Sequence, residues 1–406
     1  MSSTLRKIAF PDGSLDAFAR LRVSEPHTIF DSKLITNKQP LFWDELTNGT
    51  GSSTHNTNEA SVTMTVSANA DYVIRQTFMR FNYQPGKGQE ILMTGILGEP
   101  VANATSKIGD FNTSILAPYT ADADGIYWGS DGTDNFVAIS KFGTENKVTQ
   151  ANWNIDPMDG TGPSGVAINY DRVQIFGIAF EWLGVGTVTM FHFIDGMTVP
   201  VHNFHHANVL NQTTVYMATP NHSLRYEVRS TGGTMSIKHI CSTVISEGGI
   251  EPSGVTRAVD NGITPVNCGN VLEGVLYIRL NSANPCTTIS PTSISVLNTS
   301  TATNNFYWCL IRNPTIAGTA PTYTNLANSA IDYAPGAGNN TLTNGQVLFC
   351  GYASGSSPEI TIPVHLVLNP GIAISGTQDV FAIAVRMFTG TDDFVAAMNV
   401  LEITCG

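Results

Sequence analysis

Residues 175–194 read IFGIAFEWLGVGTVTMFHFI, twenty residues whose only formal charge is Glu181. In length and polarity the stretch matches a membrane-spanning helix. Its residue types do not. Aromatic and β-branched side chains dominate, Gly184 and Gly186 interrupt, and the second half sets Val188, Met190, His192 and Ile194 against Thr187, Thr189, Phe191 and Phe193. Period-two alternation is the signature of a strand. The segment therefore reads as two adjacent strands joined by a glycine bend, and the fold as all-β.

The same alternation recurs on both sides. Ala60–Val66, Tyr72–Phe81, Arg172–Trp182, Gly186–Ile194, Thr213–Ala218, Leu224–Arg229 and Met235–Ile245 read as strands bounded by Gly, Asn, Asp and Pro turns. Beyond them, Val275–Leu280, Phe306–Arg312, Gln346–Tyr352, Glu359–Leu368, Val380–Phe388 and Phe394–Ile403 alternate in turn. Helical periodicity is nearly absent, so a parallel α/β sheet is disfavoured. The run EGGIEPSGVTRAVDNGITPVNCGN at 247–270 breaks every period. These signals predict two antiparallel β-sandwich or jelly-roll-like domains with long loops and few short helices. The expected boundaries are an extended arm at 1–33, a first sandwich at 34–249, a linker at 250–270 and a second sandwich at 271–406.

Composition narrows the function. Lys+Arg 20 and Asp+Glu 32 make only 13% charged residues, about half the usual share. Thr, Ser and Asn supply the missing polarity, which suits strand surfaces and turns. A net charge of −12 argues against direct nucleic-acid binding. The first 18 residues lack the long apolar centre of a signal peptide, so synthesis in a reducing cytoplasm is expected, with no membrane partner. All six cysteines fall after residue 240 without zinc-knuckle spacing and read as thiols, with a disulfide open only where folding brings two together.

Four groups of residues could carry chemistry. His202, His205 and His206, with His192, have a metal-binding residue type but no nearby cysteine, and only Asp195 as a close acid. Asp122, Asp124 and Asp131, with Asp134, form an oxygen-rich run without calcium-loop spacing, better explained as turns. Asp156, Asp159, Glu181 and Asp195 could be paired as glycosidase carboxylates, although no motif marks a proton donor. Trp43, Tyr127, Trp128 and Trp153 lie in or near expected loops, where rings anchor partners or stack on sugars. No serine elbow, phosphate loop or zinc-protease helix occurs, so the chain reads as a non-enzyme without a cofactor.

Six segments carry a resemblance: LDAFARLRVSEPHTIFDSK (15–33), RQTFMRFNYQPGKGQEILMTG (75–95), NWNIDPMDGTGPSGVAINYDRVQIFGIAFEWLGVG (152–186), FIDGMTVPVHNFHHANV (193–209), YMATPNHSLRYEVRSTGG (216–233) and ICSTVISEGG (240–249). Across about 14–249 the chain resembles uncharacterised virion-associated proteins of tailed bacteriophages and environmental viruses. The resemblance implies a structural component of a phage virion, a head decoration or a tail and baseplate protein that docks on other virion proteins. Arg20, Arg22 and Phe30 then become interface candidates alongside the four aromatic rings. Copies of itself are the expected first partner, with a trimer favoured. The alternatives are a receptor-binding or glycan-processing tail protein that meets a host surface glycan, and a double jelly-roll capsid shell protein.

Overall fold

The computed structural model describes residues 21, 25–112, 123–210, 212–249, 254–300, 304–354, 360–363 and 369–404. The chain divides into two compact units, Met1–Thr77 with Phe81–Glu251, and Phe78–Arg80 with Pro252–Gly406.

The first unit is built from strands β1 (Pro26–Lys33), β2 (Trp43–Asn48), β3 (Ser52–Asn56), β4 (Ser61–Val66), β5 (Tyr72–Thr77), β6 (Gly88–Ile96), β7 (Ala104–Asn112), β8 (Asp124–Ser130), β9 (Asn135–Lys141), β10 (Thr144–Thr149), β11 (Gln174–Phe180), β12 (Val188–Ile194), β13 (Met197–Phe204), β14 (Leu224–Ser230) and β15 (Met235–Glu247). One sheet runs β13-β12-β11-β6-β15-β4-β3, with β1 also on β15; the other runs β10-β9-β8-β7-β14-β5-β2. Their inner faces meet through aromatic contacts. Trp128 of β8 packs edge-on against Phe176 of β11 at 5.7 Å, and Tyr226 of β14 stacks on His239 of β15 at 3.9 Å. Such rings bury large apolar areas and hold two sheets at sandwich spacing.

The decisive stretch folds as expected. Phe176–Phe180 pairs antiparallel with Val188–His192, and a Cβ on Gly186 would lie 1.6 Å from the Glu181 carbonyl oxygen. Only glycine closes that bend. Other expectations shift. Residues 26–33, assigned to an arm, form β1 in ladder with Cys241–Glu247, because Phe30 buries its ring against Phe42, Trp43 and Phe81. Thr213–Ala218 is no strand: the Tyr216 amide bonds the Gly184 carbonyl and the Ala218 amide bonds the Asp124 carboxylate, so no ladder is available. The two 3-10 turns Thr57–Glu59 and Gln150–Asn152 are the helical segments among the described residues.

In the second unit the strands are β16 (Val255–Asp260), β17 (Val266–Cys268), β18 (Glu273–Leu280), β19 (Thr288–Asn298), β20 (Asn305–Arg312), β21 (Thr315–Gly318), β22 (Thr324–Asn325), β23 (Ile331–Pro335), β24 (Asn340–Thr343), β25 (Gln346–Ser354), β26 (Ile360–Pro363), β27 (Val380–Met387) and β28 (Asp392–Ile403). A sheet β16-β28-β19-β26, with β17 on β28, and a sheet β22-β23-β18-β27-β20-β25 enclose one core; β21 and β24 pair alone. Phe306 of β20 meets Phe394 of β28 edge to face at 4.8 Å within that core. Residues 255–268, expected as linker, pair with β28 and belong to this sandwich. Val259, Val266 and Cys268 of this stretch are buried, while Val255 and Ile263 are exposed. Every ladder among the described residues is antiparallel, and the fold is two antiparallel β-sandwiches.

Candidate functional site: a polar groove on the seven-stranded sheet

Strand β14 reads LRYEVRS, and its two faces differ in chemistry. Tyr226 points into the core, so Arg225, Glu227 and Arg229 point to the opposite face. Registers extend that face across the sheet. Lys107 of β7 lies opposite Glu227, Tyr127 of β8 opposite Gly109, Phe136 of β9 opposite Gly129, and Lys147 of β10 opposite Ala138. A Cβ on Gly129 would stand 2.3 Å from the Phe136 ring, so this ring lies flat over a glycine. Phe111, Tyr127, Phe136 and Ala138 form an apolar floor separate from the main core.

Charged groups rest on that floor. The Lys107 ammonium sits 4.2 Å over the Tyr127 ring and 3.5 Å from Glu145. Lys147 lies 4.4 Å over Phe136 and pairs with Asp131. The Tyr127 hydroxyl donates to Glu145. Glu227 accepts from the Nε of both Arg225 and Arg229, while Arg225 also donates to Gln76 at 3.0 Å. Burial alone would raise the Glu227 carboxyl, but Arg225 and Arg229, with Lys107 behind them, hold it down at about 2. Burial lowers Lys107, against the pull of Glu145 and Glu227, and raises Tyr127. The cations and carboxylates are thus fixed before any ligand arrives.

At the end of this face nearest the Asp131–Asp134 turn lies a groove of about 780 Å³, bordered by Lys107, Asp131, Thr133, Glu145, Lys147 and Arg229, with Glu227 below. Its volume falls in the range of small-molecule sites, about 300–1,000 Å³. Three cations (Lys107, Lys147, Arg229) face four carboxylates (Asp71, Asp131, Glu145, Glu227), so the groove is nearly charge-balanced. Asn103, Thr105, Ser130 and Thr231 add neutral donors and acceptors.

The residues singled out in the sequence lie elsewhere, with Asp131 and Tyr127 the exceptions. Arg20, Arg22 and Asp122 fall outside the described residues. Asp124 and Asp131 cap opposite ends of β8, which at about 3.3 Å per residue separates them by about 20 Å and prevents a shared ion. Asp124 instead accepts the amides of Ala218 and Thr219 and faces His222 at 3.2 Å. His202 accepts the Asn154 amide, His206 bonds the Gly186 carbonyl, and His205 contacts Thr187. Burial lowers His202 to about 4 and also lowers His206. Among the described residues no three His, Cys, Asp or Glu side chains converge to hold a metal.

Phe30, Trp43, Tyr127, Trp128 and Trp153 are all buried within the chain. Trp43 donates its indole to Ser32, and Trp128 packs against His192, whose ring bonds Tyr170 and the Ile175 carbonyl. Phe30, Trp43, Trp128 and Trp153 pack inside the sandwich, whereas Tyr127 lies on the opposite face in the floor of the groove. Asp156 and Asp159 accept amides inside their own loop, and Asp195 occupies a left-handed turn position at φ 52°. Cys286 is disulfide-bonded, whereas Cys241, Cys268, Cys309 and Cys350 are free.

A scan against family models finds no match, and no curated protein matches in sequence. Solved structures give distant likenesses over about half of the chain. Bacillus licheniformis β-glucanase aligns at TM-score 0.35 and 10% identity, over 53% of this chain and 96% of its own. The legume lectin-like domain from Entamoeba histolytica aligns at 0.33 and 10%, over 53% and 96%. A glycosyl hydrolase family protein from Mycobacterium fortuitum aligns at 0.36 and 7%, over 54% and 99%.

Proposed function

We propose that this chain is a glycan-binding component of a virus particle, which recognises a neutral saccharide of the host surface in the groove over β7–β10 and β14. The observation that supports this most is the fixed, nearly charge-balanced array of donors and acceptors around that groove. A polyol presents both hydrogen donors and acceptors along one chain and carries no net charge. Lys107, Lys147 and Arg229 supply donors, Asp131 and Glu145 supply acceptors, and the aromatic floor keeps them in place. A phosphate or polyanion would meet four carboxylates there and gain little.

Binding without cleavage is the form supported. Hydrolysis by paired carboxylates needs one of them protonated as the acid. Glu227, Asp131 and Asp71 are each held below the usual carboxylate range by the donors around them, which disfavours these three as that acid. The placement on a virus particle, and with it the expectation of self-association into an oligomer that docks on other virion proteins, rests on the resemblance of residues 14–249 to virion-associated proteins. The purified full chain, applied to an array of bacterial surface polysaccharides and to a reducing-sugar assay, should bind at least one neutral glycan and release no reducing ends. Release of reducing ends would replace binding with hydrolysis, and silence on the array would remove the glycan reading. Light scattering should give a defined oligomer, and a monomer at micromolar concentration would count against self-association.

A further inference from the structure

We infer that Cys309 and Cys350 form a cross-strand dithiol, a modification site that closes to a disulfide by exchange with a low-molecular-weight disulfide such as oxidised glutathione. The two residues are direct register partners between β20 and β25. Directly opposed residues in an antiparallel ladder share a face and have Cα atoms about 4.5–5.5 Å apart, within the roughly 4.4–6.8 Å that a disulfide spans. Both thiols are free. The inference does not rest on the glycan reading.

Position in the sheet gives the two sulfurs different roles. Strand β25 is the edge of its six-stranded sheet, and Cys350 on it is exposed. Cys309, one strand inward, is fully buried in a small cluster with Tyr277, Ile311, Ala382 and Ala384, on the face turned away from the main core. Tyr307, two residues before Cys309, neighbours both sulfurs and packs its ring against Tyr352 at 5.5 Å. Burial pushes the Cys309 thiol up to about 11, with Tyr307 pulling it back down. A thiol so disfavoured as thiolate is a poor first attacker.

The exchange then runs in one order. The Cys350 thiolate attacks one sulfur of oxidised glutathione; an S–S bond forms to Cys350, the glutathione S–S bond breaks, and one glutathione leaves as its thiolate. Cys309, giving up its proton to solvent, attacks the Cys350 sulfur of the mixed disulfide. The second glutathione leaves, both released thiolates end as thiols, and two protein thiols have been oxidised at the cost of one glutathione disulfide. The product ties the edge strand to its neighbour and removes an exposed thiol.

The test uses the full chain equilibrated with oxidised and reduced glutathione, quenched with iodoacetamide and digested with trypsin, which cuts after Arg312 between the two cysteines. Wild type should yield the peptide with Cys309 joined to the peptide with Cys350, and a denaturing thiol titration should read two fewer thiols per chain. Cys309→Ser should instead keep a lasting glutathione on Cys350, and Cys350→Ser should lose both the crosslink and the adduct. Because Cys350 is exposed, its variant also controls for misfolding. Full alkylation of both cysteines in excess oxidised glutathione would overturn the inference. So would a wild-type chain that holds glutathione on Cys350 while Cys309 stays free.

Discussion

Replacement of Glu227 by Gln removes the negative charge that pairs with both buried guanidiniums, Arg225 and Arg229. The folded chain holds this carboxyl at about 2 against an ordinary 4.5. A depressed carboxyl favours the folded state fully above its unfolded pKa and loses that contribution as pH falls through its folded one. Here the window runs from about pH 4.5 down to about 2, and roughly 2.5 units at about 1.36 kcal/mol each amount to about 3 kcal/mol. At neutral pH the Gln variant leaves two buried cations poorly paired, which costs about 3–5 kcal/mol. Urea unfolding followed by tryptophan fluorescence is a suitable assay, since Trp43, Trp128, Trp153 and Trp182 lie in the first unit and Trp308 in the second. The variant should unfold at lower urea at pH 7, and its deficit should shrink toward zero as pH approaches 2, because wild type then loses the same charge. A deficit below about 0.5 kcal/mol at pH 7, the level of an ordinary surface change, or one that stays constant with pH, would show that Glu227 does not neutralise the two arginines.

Gly129→Ala places a Cβ 2.3 Å from the Phe136 ring, and thermal denaturation should show a loss of about 1–3 kcal/mol as the ring is forced aside. Burial holds His192 at about 4, so its imidazole NMR shifts at pH 5.5 should be those of the neutral ring, where an unperturbed histidine would be about nine-tenths protonated. The folded state should correspondingly lose stability from this ring as pH falls from 6.5 toward 4. Deletion of Pro26–Lys33 removes the buried Phe30 and bares the 241–247 edge of β15; the cost should reach at least the 3–5 kcal/mol of a buried Phe→Ala change, visible as a lowered melting temperature.

Period-two alternation made β4, β5, β11, β12, β14, β15, β18, β20 and β25–β28 legible, since that period is set by backbone geometry alone, and left β6, β7, β9, β13 and β19 unread. It failed outright at β8, where both faces of the strand are covered. Strand β8, DGIYWGS, reads as turns because Asp124, Gly125 and Gly129 are turn formers; in the fold Gly129 is simply the partner that leaves room for a ring. Strand β1 hides for a different reason: most of its residues are exposed, and Phe30 is its one buried apolar side chain. The groove was harder still. Lys107, Glu145 and Glu227 come from three strands spread over 120 positions, and only the ladder brings them together. One local signal was present: in Arg225-Tyr226-Glu227-Val228-Arg229 charges occupy every second position of a strand, which marks a polar face rather than a plain surface. Phe30, Trp43, Trp128 and Trp153, expected as partner anchors, illustrate the opposite limit, because residue type does not distinguish a loop aromatic from one buried inside a sandwich.

For a neutral saccharide in the groove beside the Asp131–Asp134 turn, Thr133 offers a way to close the site. Thr133 is exposed on the rim, so Thr133→Trp should fill the opening with little change in the thermal melt. Wild type and variant, compared on the same polysaccharide array and by calorimetric titration with the glycan it identifies, should differ by at least tenfold in affinity. Equal affinity of the two proteins for that glycan would contradict the account.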